Sequence, residues 1–212
     1  MIQVRQKNKV ELKPLAFRFS GDDETMAAAI KSGHPGAMEA MFHRYGEMVE
    51  RLVVRVLGFD PEIPDLVQDI FVAAYSRIHQ LRDNAAIRSW LTSLTILTVR
   101  QRIRKRARRR VHWAHDDAAT YNYAAPMVSV EDIELLKLIY EVLDAMPTDE
   151  RLIFALRFID GMEIREVTQV LDVSESTVKR RLRKAEKRFL VLSRRFPVLE
   201  EKLEQSEKWS KK

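Results

Sequence analysis

Apolar residues recur every three or four positions along most of this chain, which is the spacing of amphipathic α-helices. The first long stripe occupies residues 38–56 and ends before Gly58. Pro61 and Pro64 stand beside acidic residues, a combination that favours the first turn of a second helix. A third stripe follows a polar loop. The pattern predicts a helical unit over residues 25–113.

The second half of the chain carries shorter stripes of the same period. A helix through Leu135, Leu138 and Val142 is expected to end at Pro147, and three more helices follow it. Residues 114–130 have no stripe and are rich in Asp, Ala, Tyr and Asn, which is typical of a linker. We therefore expect an all-α protein, in which two small helical domains at 25–113 and 131–192 are joined by a flexible linker.

The two ends of the chain have weaker patterns. Residues 1–24 are predicted to form an N-terminal arm, although Leu15, Phe17 and Phe19 alternate and leave a short strand open. Residues 193–212 are predicted to be a C-terminal tail with one or two amphipathic turns, which either dock on a partner or fray.

Positive charge is concentrated in two short runs. The formal net charge is +6 over 212 residues, and the runs Arg100–Arg110 and Val178–Arg188 hold 15 of the 37 Lys and Arg residues. Such clustering indicates an anionic partner. Cysteine is absent, which excludes disulfides and thiolate metal sites and suits a cytoplasmic protein. We see no signal peptide and no apolar run near the roughly 18 residues of a membrane span, so no membrane insertion is expected.

The second basic run follows a short helix and a polar turn, which is the arrangement of a helix-turn-helix DNA-binding motif. Val167, Val178 and Leu182 can form the small core that fixes the crossing of the two helices. Either Ser174 or Ser176 can cap the second helix. A solvated basic surface helix is the other interpretation of this run. In the DNA-binding interpretation, the residues that project toward a major groove are Ser174, Ser176, Thr177, Lys179, Arg180, Arg181 and Lys184.

Three motifs in this order resemble a known family. DLVQDIFVAAY at Asp65–Tyr75, SWL at Ser89–Leu91 with a basic helix beyond it, and TVKRRL at Thr177–Leu182 are similar to motifs of the bacterial extracytoplasmic-function (ECF) sigma factors. The resemblance covers about residues 27–192. It implies a first domain that binds polymerase and the −10 element, and a second domain that reads the −35 element.

The resemblance assigns expected roles to individual residues. The DLVQ helix would dock on the β′ subunit of core RNA polymerase through Asp65, Gln68, Asp69 and Val72. The loop before SWL and the helix after it would bind the melted −10 strand and nearby phosphates through Arg82, Asp83, Asn84, Ala85, Arg88, Trp90, Arg100 and Arg104. A ring such as Trp90 can stack on a base or wedge the duplex, but it can equally pack in a core. The helix-turn-helix residues would read the −35 duplex.

The expected function is therefore that of a sigma factor, which is not an enzyme and needs no cofactor. Its expected partners are promoter DNA and the β′ and β subunits of core RNA polymerase, and the resemblance also implies an anti-sigma factor, which the family usually has. One alternative is a stand-alone helix-turn-helix regulator, which would need neither the DLVQ face nor the SWL helix. Another is a metal-dependent enzyme using His112, His115 and Asp116, but no acid/base pair lies near them in the sequence, so no metal site is predicted.

Two positions depart from the family pattern. Leu97 stands where family members often carry Asn, which puts part of the usual −10 reading in doubt. Asp172 occupies a turn position where the family often has Gly. Because Asp tolerates left-handed backbone better than most residues, the turn is expected to survive.

Overall fold

A computed structural model describes residues 19–112 and 130–205, and every regular element within these ranges is helical. Most of the predicted linker and the first 18 residues lie outside them. The α-helices are α1 Asp23–Lys31, α2 Ala37–Leu57, α3 Ile63–Arg77, α4 Ile87–His112, α5 Val130–Asp144, α6 Thr148–Phe154, α7 Ile164–Leu171, α8 Glu175–Ser193 and α9 Pro197–Gln205. Two 3₁₀ turns, Ile78–Gln80 and Asn84–Ala86, connect α3 to α4, and a π-helical turn, Ala155–Ile159, extends α6. The expected all-α fold is confirmed.

The N-terminal unit comprises α1 to α4, packed around the predicted apolar stripes. Met41, Val49, Val53 and Val56 of α2 are fully buried, together with partners from the other three helices. Gly58 terminates α2 with φ +75°, and its N–H donates to Val54 O at 2.8 Å. The prediction that glycine ends this helix agrees with the structure.

The first helix begins two residues before the predicted boundary between the N-terminal arm and the helical unit. α1 begins at Asp23, inside the predicted arm, and Asp22 caps it by accepting a hydrogen bond from Thr25 N–H at 2.9 Å. The bonds from Thr25 hold the pKa of Asp22 below its usual value. The buried side chains of Met26 and Ile30 pack α1 against the rest of the bundle. Residues 25–31 of α1 fall within the predicted helical unit, and the cap at Asp22 starts the helix two residues before the predicted boundary.

The C-terminal unit comprises α5 to α9. The rings of Phe154 in α6 and Phe189 in α8 stack with centroids 4.3 Å apart. α7 meets α8 through a turn in which Asp172 adopts φ 50° and ψ 52°, the left-handed conformation expected of it. α9, in the predicted tail, packs on α5 and α8 and buries Leu199.

The two units pack directly against each other at the C-terminal end of α2. The Tyr140 hydroxyl of α5 donates to Arg55 O at 2.9 Å, and Arg151 of α6 donates to Leu57 O at 3.1 Å. Burial raises the pKa of Tyr140 to about 12, so this hydroxyl remains protonated and able to donate. The Tyr140 ring also lies over Gly58, where an added Cβ would stand 2.4 Å from ring atoms.

A pair of glycine substitutions isolates this packing. Gly58 and Gly33 both have positive φ, but a Cβ on Gly33 would meet no atom within 4 Å. Gly33→Ala should cost about 1–2 kcal/mol of backbone strain. Gly58→Ala should cost at least about 1–3 kcal/mol more, because the methyl group overlaps Tyr140 and because ψ −141° places Gly58 in a backbone region that is nearly restricted to glycine. Denaturant unfolding of both variants measures the difference, and equal losses would exclude the Tyr140 contact as a source of stability.

Candidate nucleic-acid interface

The candidate recognition helix, α8, is positioned by a capped start and an apolar inner face. Ser174 is the N-cap, because its Oγ accepts from Thr177 N–H at 3.3 Å. This resolves the choice between Ser174 and Ser176. Val178 and Ala185 are buried on the inner face of α8, so the basic residues between them point outward.

The outer face of α8 carries a continuous set of basic side chains. Arg180 is exposed, and Arg183 and Lys187 lie one and two turns beyond it on the same face, also exposed. Ser174, Ser176 and Lys179 are exposed too, whereas Thr177 and Arg181 are half-buried. Sequence reasoning omitted Arg183 and Lys187, although their spacing of three and seven residues from Arg180 was a usable signal.

Two of the predicted DNA contacts on α8 have acidic partners in the same chain. Lys179 Nζ lies 2.5 Å from Glu175 Oε1, and Lys184 Nζ lies 2.9 Å from Glu150 Oε1. Glu150 is buried on α6 and also accepts from Arg188 Nε at 2.6 Å. Arg188 and Lys184 therefore help to hold α8 on α6, which gives Lys184 a structural role besides the predicted one. The Lys184 side chain is still 67 % exposed, so its ammonium remains accessible.

The loop before α4 presents a short polar surface. Arg82, Asp83 and Ala85 are exposed, and Asn84 is half-buried. Asp83 Oδ1 accepts from Ala85 N–H at 3.0 Å, which fixes the turn that begins α4. Leu81 is buried and anchors the loop to the bundle.

The Trp90 side chain is partly packed against the core and partly exposed. It is half-buried and contacts the core, and it also lines a cleft between the two units. Arg88, which is exposed, lies on the same wall, and Met162 and Glu166 come from the opposite unit. The geometry therefore leaves both sequence-based interpretations of Trp90 standing.

The first basic run, on α4, is partly neutralised by carboxylates of the same chain. Arg100 lies 2.8 Å and Arg104 3.4 Å from Asp149 Oδ1 at the start of α6. On the same helix, Arg102 pairs with Glu62 and Arg106 with Asp60. The predicted phosphate contacts Arg100 and Arg104 thus bind an anionic group of the C-terminal unit.

The outer face of α3 combines acidic, amide and apolar side chains. Asp65, Gln68 and Asp69 are exposed, and Val72 is 59 % exposed beside them. Two further residues extend this face: Tyr75, 53 % exposed one turn on, and Phe42 of α2, 48 % exposed. Phe42 contacts Phe71 edge-on with centroids 4.9 Å apart. Sequence reasoning missed both aromatics: it assigned Phe42 to the apolar stripe of α2, and it gave Tyr75 no role beyond its place at the end of the DLVQDIFVAAY motif. Exposed aromatic side chains are enriched in protein-binding surfaces.

Other kinds of site have less structural support. Within the described residues, no three His, Asp or Glu side chains lie together as metal ligands, and His115 and Asp116 lie outside the described ranges. Among the described residues, no helix combines the length and the apolar character that a bilayer span requires.

The same helical architecture occurs in two solved structures. CnrH, solved in complex with the cytosolic domain of CnrY, has a TM-score of 0.55 and 23% identity, covering 82% of this chain and 98% of that one. The sigma factor RpoE from Bartonella quintana, solved with the anti-sigma factor NepR, has a TM-score of 0.54 and 16% identity, covering 74% and 96%. These likenesses support the fold.

Sequence comparison identifies the family. The model "Sigma-70 region 2" matches residues 41–109, and "Sigma-70, region 4" matches residues 136–189. The ECF RNA polymerase sigma-E factors of Escherichia coli and Haemophilus influenzae are 24% and 23% identical over 172 residues, spanning 77% of this chain and 90% of theirs. The two matched regions lie in the two packed helical units, in the order that the motifs predicted. The chain belongs to the ECF family of bacterial RNA polymerase sigma factors.

Proposed function

We propose that this sigma factor directs core RNA polymerase to promoters through three separate surfaces. The outer face of α3, with Asp65, Gln68, Asp69 and Val72, docks on the β′ subunit. The loop at Asn84 and the start of α4 bind the opened −10 strand. The outer face of α8 reads the −35 duplex. The single observation that carries this proposal is the presence of an exposed mixed acidic and apolar face on one unit and an exposed basic helix on the other. Like other sigma factors, it is expected to be a regulator without catalytic activity.

Energetics require the polymerase as a partner. Opening DNA costs about 1.4 kcal/mol per stacking step, so a promoter bubble costs on the order of 10 kcal/mol. Non-specific binding by a small basic protein supplies about 5.5–8 kcal/mol at typical dissociation constants of roughly 10⁻⁴ to 10⁻⁶ M. A stand-alone regulator could not open DNA with that free energy, and it would have no use for the exposed face of α3.

DNA must compete with the contacts that hold the two units together. Asp149 places a carboxylate against Arg100 and Arg104, where a phosphate would otherwise bind. Trp90 faces the C-terminal unit across the cleft. Promoter binding through both units is therefore expected to loosen their contact. An inhibitory protein that stabilises the packed state would act as an anti-sigma factor, and both structural neighbours were solved with such a protein or a cytosolic partner domain.

A protein that acts on RNA polymerase and promoter DNA is expected to work in the cytoplasm.

The docking face is tested by charge reversal. Asp65→Arg with Asp69→Arg should abolish co-purification with core RNA polymerase, because two exposed carboxylates become cations without disturbing the buried face of α3. The matched control is Glu131→Arg with Glu134→Arg, which reverses two exposed acids on α5. Wild-type affinity in the Asp65/Asp69 variant would show that the polymerase binds elsewhere.

The −35 surface is tested by truncating Arg180. Arg180→Ala should cost about 1–3 kcal/mol in binding to promoter duplex if the guanidinium contacts a base. If it contacts a phosphate, the loss should be uniform across sequences and the salt slope should fall by about one. Arg195→Ala, an exposed arginine just after α8, removes the same charge away from this face. Fluorescence anisotropy over a salt series separates these cases, and identical curves for both variants would rule out the recognition helix.

Trp90 is tested on two templates. As a wedge, Trp90→Ala should lose transcription from duplex promoter and recover much of it on a template with a pre-melted −10 bubble. As a packing residue it should lower the melting temperature and impair both templates equally. Leu91→Ala provides the packing control, because Leu91 is fully buried and such truncations cost about 2–5 kcal/mol. We expect the recovery on the bubble.

The competition at Asp149 is tested by neutralising it. Asp149→Asn should raise the affinity for DNA up to about fivefold, since partly exposed ion pairs contribute roughly 0.2–1 kcal/mol. The gain should shrink as salt is added, because screening weakens the pairs. Glu134→Gln removes an exposed acid of α5, which lies outside these contacts. An equal gain in both variants, measured by equilibrium DNA binding, would indicate a net-charge effect only.

A further inference from the structure

The half-buried side chain of Lys31 joins α1 to the loop that holds Asn84. Its Nζ lies 2.6 Å from Asn84 Oδ1 and 2.6 Å from Leu81 O. These contacts join residues that are 50 and 53 positions apart in the sequence, and Lys31 lies outside the residues matched by either family region. Both distances are short for N–H···O bonds, as expected of charge-assisted bonds.

α1 is a firm support for this lysine. Met26, Ala27 and Ile30 are buried, and Asp22 caps the start of the helix. Lys31 is the last residue of α1, where a positive charge also interacts favourably with the negative end of the helix dipole. The backbone that carries the Lys31 side chain is therefore held in place against the bundle.

The chemistry of Lys31 determines which way the Asn84 amide faces. A lysine ammonium has donors and no acceptor, so the Asn84 atom it contacts must be the carbonyl oxygen. The amide NH₂ group is consequently turned away from Lys31. A free asparagine could rotate its amide by half a turn and offer either an acceptor or a donor. Held by Lys31, Asn84 offers its donor.

We propose that Lys31 is a positioning residue for −10 recognition, which orients the Asn84 amide so that its NH₂ group selects bases by the hydrogen-bond acceptors on their edges. The inference rests on the proposed function, in which Asn84 contacts an unstacked base. Lys31 itself need not touch DNA. Its contribution is to make Asn84 selective, whereas the backbone bond to Leu81 O keeps the loop in place.

The test measures base preference, because a purely structural role would leave it unchanged. Heteroduplex templates with a pre-melted −10 element carry each of the four bases at each non-template position. Transcription is measured with core RNA polymerase from the same bacterium. Asn84→Ala first identifies the position whose preference depends on that side chain.

Lys31→Met keeps the length of the side chain and removes its donors. It should flatten the preference at the Asn84-dependent position roughly three- to tenfold, the range of one hydrogen bond, and leave the other positions within about twofold. Lys31→Arg should keep most of the preference, because a guanidinium is also only a donor. Lys137→Met, an exposed lysine on α5, should change nothing. If Lys31→Met lowers the melting temperature, Lys31→Gln repeats the test with a polar group that can donate or accept.

The outcomes separate the two proposals. A lower yield from Lys31→Met with all four bases, and an unchanged ratio among them, would overturn the orienting role while base capture by Asn84 stands. If Asn84→Ala alters no position, base capture fails and the role of Lys31 fails with it.

Discussion

The arrangement of the two units depends on how the last backbone carbonyl groups of α2 are hydrogen-bonded. The last carbonyls of a helix have no partner within it and must be satisfied by water, a cap or another element. Here the Tyr140 hydroxyl and the Arg151 guanidinium of the C-terminal unit donate to them. Arg151 is almost fully buried and pairs with Asp144, as a buried charge requires. The C-terminal end of α2 is thus capped by side chains that the other unit supplies.

Charge complementarity continues this contact across the rest of the junction. Arg55 lies 3.0 Å from Asp160, and Arg100 and Arg104 share Asp149. Each pair is partly exposed, so salt and competing anions weaken it. Buried contacts therefore fix where the units meet, and exposed pairs decide how strongly they hold when a polyanion is present. Under the proposed function, this division would let the same arginines bind carboxylates of their own chain in the free protein and nucleic acid in the promoter complex.

Polar preorganisation recurs at each element that we propose to bind DNA. Ser174 caps α8, Asp83 fixes the turn before α4, and Lys31 holds Asn84. In each case a side chain with a limited set of donors or acceptors constrains a neighbour. A group that is already oriented loses less conformational entropy on binding, so more of its interaction free energy contributes to affinity and selectivity.

The sequence by itself determined the helices, their order and the kind of partner. Apolar period, glycine and proline positions, and two dense basic runs are local signals, because they depend on residues a few positions apart. They were sufficient for α2, α3, the turn at Asp172 and the basic surface of α8. The tertiary structure decided the features that depend on contacts between residues far apart in the sequence. These are the pairing of Arg100 with Asp149, the contact of Lys184 with Glu150, the exposure of Phe42 and the hydrogen bond between Lys31 and Asn84. No periodicity encodes such contacts, since each depends on how whole helices pack and on which side chains that packing leaves within hydrogen-bonding distance.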